Sequence, residues 1–486
     1  MTDEADVAYL QRVRPPDWHN PAPRGLYDLV IVGGGPAGLS AASLARSLGL
    51  RVALIERARL GGNSLNSGSI PSKALVRSGR AVEAVIDGSR FGGPESGECS
   101  ADFAAVMRRM HAIRSRIAES CSALRLAALG VDVFFGHAEF ADARSVRVGT
   151  AALHFKKALI AAGAHPRGAA VPNLEAVGYL TSANFFEMQS LPRRLAVIGG
   201  GPLGCEMAQA FAHMGSKVTI LQDEPKFLAR EERDAAEILS LSLARCGVET
   251  RLNTTISGAR SVNGEKLIDF ENMGIARTLA VDEILVSVGR AANSGEMRLE
   301  AAGIVTAADG RIQIDDFLCT ANPDVYAAGD VCMAHKFTNV AEASGEMAVR
   351  NAFAKAGQRH SAIIAPRCTY CDPEIAHIGM HTRDAARQGM PVKTYTIMMQ
   401  DVDRAITDGR VDGFVKIHLR AGSDEIIGAS IVASRASEMI NEVAVIMHAR
   451  LGMRALAGIL HTYPAQSDAI RLAARAYMNS LQHAAP

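Results

Sequence analysis

The chain has 486 residues, 48% of them hydrophobic, enough by length for roughly two to four domains with sizeable cores. Its 52 Lys and Arg balance 51 Asp and Glu, so no single-sign field exists to draw in a nucleic acid or a membrane surface. No apolar run reaches the roughly 18 residues needed to span a bilayer.

Residues 1–26 run acidic, then basic, then Pro-rich. Without an apolar h-region they are expected to form an extension rather than a secretory signal. The eight cysteines (Cys99, Cys121, Cys205, Cys246, Cys319, Cys332, Cys368, Cys371) are scattered, a pattern expected of reduced thiols in a cytoplasmic protein rather than a disulfide framework.

The first ordered pattern begins at Tyr27. "YDLVIV" reads as a buried parallel strand and is followed by "GGGPAG", which places Gly33, Gly35 and Gly38 in the G-x-G-x-x-G register. An Ala- and Leu-rich helical segment follows, then "RVALIE", a second strand closed by Glu56. Strand, glycine turn, helix, strand and acid together predict a dinucleotide-binding unit. The glycines let the backbone approach a pyrophosphate at a helix N-terminus, and Glu56 can accept from ribose hydroxyls.

The pattern recurs in "RRLAVIGGGPLGCEMAQAFAHMGSKVTILQ", with Gly199, Gly201 and Gly204 after another buried strand. The second strand of this unit ends at Gln222, followed by Asp223 and Glu224. Two carboxylates there repel a 2′-phosphate and favour NADH over NADPH, although Lys226 and Arg230 keep NADPH open. Further on, "KKALIAAGA" and "VDEILVSVGR" are apolar runs stopped by Gly, and "NPDVYAAGDV" ends in Gly329-Asp330. Asp330 is placed either to accept from ligand hydroxyls or to cap a helix. From Pro366 the texture changes to antiparallel strands ("GFVKIHL", "EIIGASIV") and two amphipathic helices. The expected fold class is α/β, with two Rossmann-like dinucleotide-binding domains plus a C-terminal α+β domain.

In order along the chain, the fingerprints, "GGNSLNSGSIPSKAL", "VSVGRAAN", "YAAGDV", "CDPEIAHIG" and "HTYPAQSD" resemble the class I pyridine nucleotide-disulfide oxidoreductases, from about Tyr27 to the C-terminus. "FTNVAEASGEMAVRNAF", "DRAITDG" and Tyr463-Pro464 resemble the mercuric reductase branch. The resemblance implies FAD held by Gly33, Gly35, Gly38, Glu56 and Asp330. It implies NAD(P)H held by Gly199, Gly201, Gly204 and the turn at Gly289, and a homodimer. It also implies Lys73 at the flavin edge, paired with Glu206. The implied domains are 27–170 and 291–362 for FAD, 171–290 for NAD(P) and 363–486 for dimerisation.

The family's two redox cysteines fall at Ser64 and Ser69. A hydroxyl neither ionises like a thiol nor forms a redox disulfide, so the dithiol relay is expected to be missing. Cys368 and Cys371 have C-x-x-C spacing but are read within a strand, where residues three apart face opposite ways. Cys205 is read as a small buried hydrophobe. Tyr463 stands at the position of the family's acid–base histidine and Asp468 at that of its glutamate, reaching the partner's flavin; His461 is a structural histidine or a displaced proton donor. No vicinal cysteine pair stands in "SLQHAAP". The expected function is an FAD-dependent NAD(P)H oxidoreductase passing electrons to a non-disulfide small-molecule acceptor such as a quinone. The alternatives are a flavoprotein with a binding or sensing role, and a Cys-to-Ser form of a disulfide or mercuric reductase.

Overall fold

The structure is a computed structural model and describes residues 4–93, 101–354 and 356–483. The chain divides into two compact units. The first comprises Met1–Ala170, Gly178–Leu191 and Leu285–Ile363; the second comprises Val171–Val177, Pro192–Ile284 and Ile364–Pro486.

The first unit is built on a seven-stranded sheet. Leu26–Val32 lies between Val52–Glu56 and Ala151–Ile160, parallel to both, and Val131–Phe135 extends the parallel side. Val325–Ala327 adds a parallel partner to Ala151–Ile160, while Ser145–Val148 and Ala138–Asp142 continue as antiparallel strands. Leu29 to Val32 and Val52 to Ile55 are buried, the continuous apolar texture of a sheet covered on both faces. Helix Pro36–Ser47 starts at the glycine turn with Pro at its first position, where a missing N–H costs nothing. It packs closely on helix Thr338–Ala354, where any side chain at Gly345 would collide with the Ala37 carbonyl.

The second unit carries the parallel strands Glu249–Arg251, Lys217–Leu221 and Arg194–Ile198, side by side in that order. It also has a three-stranded antiparallel sheet over residues 254–281. Its five-stranded antiparallel sheet runs Arg367–Thr369, Glu374–Gly379, Ile426–Ala433, Phe414–Arg420, Val392–Met398. The expected C-terminal strands and amphipathic helices are present; Ala436–His448 and Asp468–Gln482 bury Ile440, Val443, Ile470 and Ala473 in the core of this sheet.

One local expectation fails. Cys368 lies in a strand, but the strand stops at Thr369 and Cys371 falls in a bend. The sheet ladder ends there because helix Pro202–His213 takes the backbone donors: the Tyr370 N–H goes to Glu206 Oε1 at 2.9 Å and the Asp372 N–H to Gln209 Oε1 at 2.7 Å.

Candidate functional site

The glycine turn of the first unit needs its glycines for steric reasons. Gly33 has φ +113°, and a Cβ there would run into the Ala161 carbonyl. A Cβ at Gly38 would strike the carbonyl oxygen of Gly33. Gly35 occupies the N-cap of Pro36–Ser47, so the first backbone N–H groups of that helix face the turn with the positive end of its dipole. Glu56 holds this turn from below. Its Oε2 accepts the Gly34 N–H at 2.8 Å and its Oε1 the Ala58 N–H at 2.7 Å. Burial pushes the Glu56 carboxyl up, partly offset by those two hydrogen bonds. The predicted ribose acceptor is thus also the staple of the loop that follows.

The turn opens into a cavity of about 1160 Å³ whose wall includes Ser64, Ser69, His165, Arg290, Asp330 and Lys336. Arg290 places one guanidinium nitrogen on the Ala164 carbonyl at 2.8 Å, while its buried Nε has no hydrogen-bond partner and lies 3.9 Å from Asp330. Burial lowers the pKa of Arg290 and raises that of Asp330; Arg290 and Lys336 pull Asp330 back down. A buried, unsatisfied cationic donor beside a buried carboxyl on one wall fits a polar, anionic ligand such as a dinucleotide.

Ser64 sits in the short helix Gly62–Asn66, and its hydroxyl shares a hydrogen bond with Thr338 Oγ1 at 2.5 Å. Ser69 opens helix Ser69–Ile86, and Lys73 follows one turn later with Nζ 3.4 Å from Ser72 Oγ. Among the described residues, no cysteine lines this cavity. Among the described residues Cys121, Cys205, Cys246, Cys319, Cys332, Cys368 and Cys371 form no disulfide, and Cys99 lies outside the described residues. Gly289, expected on the nicotinamide nucleotide, has φ +110° and belongs to the first unit, next to Arg290.

In the second unit Gly199 has φ +101°, Gly201 caps Pro202–His213, and a Cβ at Gly204 would collide with the Gly199 carbonyl. Gln222 Oε1 accepts the Gly200 N–H at 2.6 Å. An amide oxygen thus does in this turn what a Glu56 oxygen does in the other, a correspondence hidden by the difference in residue type. Asp223 caps the next backbone, accepting the Glu224 N–H at 2.9 Å. Cys205 is wholly buried with its thiol on the Gly200 carbonyl, and burial raises its pKa far above that of a reactive thiol. Glu206 is buried and accepts from Tyr370.

At the C-terminal motif, Tyr463 is 70% exposed and donates to Asp403 Oδ2 at 2.9 Å, which raises the phenol's pKa. Asp468 is held by Arg471 through two contacts of 2.5 and 2.8 Å. Within this chain the two residues thus engage different partners, Tyr463 with Asp403 and Asp468 with Arg471. His461 has both ring nitrogens engaged, one with Glu442 at 2.6 Å and one with the Ile459 carbonyl at 3.2 Å. Sequence reasoning missed Thr338 because it lies 274 positions from Ser64; Arg290, the last residue of "VSVGR", was visible as a motif end.

Two glycine fingerprints in separate units, one opening on a dinucleotide-sized cavity, define a nucleotide-dependent oxidoreductase. Residues 27–356 match the pyridine nucleotide-disulphide oxidoreductase family and residues 365–474 its dimerisation domain, so the chain belongs to that family, whose members use FAD and NAD(P)H. It is 30% identical to the mercuric reductase of Staphylococcus aureus, over 93% of this chain and 82% of that one. It is 31% identical to the dihydrolipoyl dehydrogenase of Geobacillus stearothermophilus, over 94% and 97%. Similar solved structures include LpdA from Mycobacterium tuberculosis (TM-score 0.85, 25% identity, 93% and 100% covered). Another is the Cu(II) complex of the HOCl-induced flavoprotein disulfide reductase RclA from Escherichia coli (TM-score 0.84, 26% identity, 93% and 100% covered). Among the described residues no helix is long and apolar enough to cross a membrane.

Proposed function

We propose that this chain is an FAD-dependent NAD(P)H oxidoreductase that passes electrons from the flavin straight to a small non-disulfide acceptor such as a quinone. The observation that carries this reading is the cavity wall: Ser64 and Ser69 stand on it and no described cysteine does. The similar mercuric reductases and dihydrolipoyl dehydrogenases are named for mercury and lipoyl substrates, and in this family resemblance the thiols that would serve them coincide with the two serines.

FAD, when bound, supplies two-electron uptake from a nicotinamide and one- or two-electron delivery to an acceptor. The chain's residues do the rest. The N–H groups above Gly35 and the glycines at 33 and 38 seat the pyrophosphate, Glu56 and Asp330 accept from hydroxyls, and Arg290 donates to the anionic ligand. Gly199, Gly201 and Gly204 do the same for the nicotinamide dinucleotide, with Asp223 and Glu224 favouring NADH. Lys73 and Glu206 are the residues that the family resemblance assigns to the flavin edge. Ser64 and Thr338 line the acceptor side, and Tyr463 and Asp468 of a homodimer partner complete it. Overall, NADH and a proton reduce a quinone to the quinol. The enzyme works in the cytoplasm, and its FAD-binding part takes in Glu187, Gly289 and Arg290 as well as residues 27–170 and 291–362.

Anaerobic titration tests this. NADH is expected to bleach the flavin without a thiolate–flavin charge-transfer band, a quinone to restore the colour, and the alkylatable thiol count to stay constant. A pair of thiols that appears on reduction and is required for turnover would overturn the reading. Bleaching by neither nicotinamide would instead favour a binding or sensing role.

A further inference from the structure

The N-terminal extension is stitched to the first unit from Glu4 to Arg24. Its helix, Glu4–Val13, buries Tyr9 and Val13. Asp6 Oδ1 accepts from His111 Nδ1 at 2.6 Å and from Arg114 at 3.3 Å. Arg114, on helix Phe103–Ala118, is only 2% exposed; it donates to Glu187 at 2.8 Å and its guanidinium lies 4.5 Å from the centre of the Tyr9 ring. A guanidinium so deeply buried requires its countercharges, and one of the two comes from the extension. The Tyr9 ring also carries the Arg59 guanidinium at 5.7 Å, and the Tyr9 hydroxyl donates to Asn66 Oδ1.

Beyond the helix, the extension satisfies a segment that has no sheet ladder of its own. Arg14 donates to the carbonyls of Arg57 and Ala58 at 2.7 and 3.0 Å, and the Val13 carbonyl accepts the Leu60 N–H at 3.0 Å. Trp18 and Asn20 bind the backbone of strand Val131–Phe135. Arg57, Ala58, Arg59, Asn66 and Glu187 all line the large cavity. The loop that forms one cavity wall thus has its back held by residues 6–14. Without that hold, the carbonyls of Arg57 and Ala58 and the N–H of the buried Leu60 would lose these partners and the wall its shape.

We infer that the N-terminal extension is part of the cofactor site, with Asp6 and Tyr9 as positioning residues that fix Asn66, Arg59 and Glu187 on the wall and so set how tightly FAD is held. The inference rests on the reading that this cavity takes FAD. Tyr9→Phe in the full chain removes only the hydroxyl and keeps the ring between its cations. FAD affinity, measured by fluorescence titration of the apoprotein, is expected to fall about fivefold, the worth of one such hydrogen bond. The apoprotein's melting temperature is expected to fall by no more than the loss of that one hydrogen bond accounts for. Asn66→Ala is expected to weaken FAD by a similar factor, and the double variant no further than Asn66→Ala alone, because Tyr9 acts through Asn66. Val7→Ala, at a position 49% exposed on the same helix, serves as the control and should change neither readout. Wild-type affinity in Tyr9→Phe, or losses that multiply in the double variant, would overturn the inference while leaving the cofactor reading intact. Failure of the unaltered apoprotein to take up FAD would overturn both.

Discussion

Glu56 offers a sharp test of how the first glycine turn is held. Its two carboxylate oxygens each accept one backbone N–H, from Gly34 at 2.8 Å and from Ala58 at 2.7 Å. Glu56→Gln preserves shape but turns one acceptor into an NH₂ donor. The remaining carbonyl oxygen can keep the Gly34 bond, as Gln222 does for Gly200 in the second unit. The Ala58 N–H is then left facing a donor. The Ala58 N–H is exposed, so water can replace the lost acceptor and the cost is the net worth of one hydrogen bond, about 0.5–1.5 kcal/mol. If that cost falls on the ordered loop against which FAD binds, affinity drops about two- to 13-fold, since about 1.4 kcal/mol is a factor of ten. Fluorescence titration of the apoprotein with FAD reads the affinity, and urea unfolding with and without FAD shows where the cost falls. Glu56→Asp, too short to span both N–H groups, should lose a comparable amount. Unchanged FAD affinity together with unchanged unfolding free energy in Glu56→Gln would refute the idea that the two hydrogen bonds shape the site.

Replacing both cavity hydroxyls, Ser64→Cys with Ser69→Cys, is expected to create thiols that become alkylatable only after anaerobic reduction by NADH, whereas the unaltered chain shows no such change; quantitative alkylation and mass spectrometry read this. Asp223→Lys removes a carboxylate from the end of the second fingerprint and supplies an ammonium, so the ratio of kcat/KM for NADPH over NADH should rise by about tenfold or more, the worth of one charge-assisted hydrogen bond. His377 is buried, bonded to Ser430 Oγ at 2.9 Å and to the Gly379 carbonyl at 3.0 Å, and stacked on His381. Burial, then the nearby charges of Arg367, His381 and His418, push its pKa down to about 2 from 6.5. The unfolded chain therefore takes up a proton below pH 6.5 that the folded chain refuses, and stability falls as the pH drops. The loss approaches about 1.4 kcal/mol per pH unit below the unfolded pKa, or about 2.3 kcal/mol between pH 6.5 and 4.5. Urea unfolding at the two pH values should show this slope, and His377→Gln should flatten it.

Local chain physics made part of this protein legible in one dimension. A glycine with φ above +100° beside a helix start, as at Gly33 and Gly199, is a property of a few consecutive residues, so both nucleotide turns could be read directly. The apolar strands that flank them, and the hydroxyls where the family resemblance puts thiols, are equally local. What the sequence left undetermined depends on residues far apart in the chain. Ser64 meets Thr338, Glu206 spends an oxygen on Tyr370, Tyr463 donates to Asp403, and the chain leaves its strand before Cys371. The extension is polar and Pro-rich in sequence, yet it forms a helix that serves the buried Arg114 and the back of a cavity wall. Hydrogen bonds and countercharges between distant residues are chosen by which elements pack together, and only the folded chain brings those elements within reach.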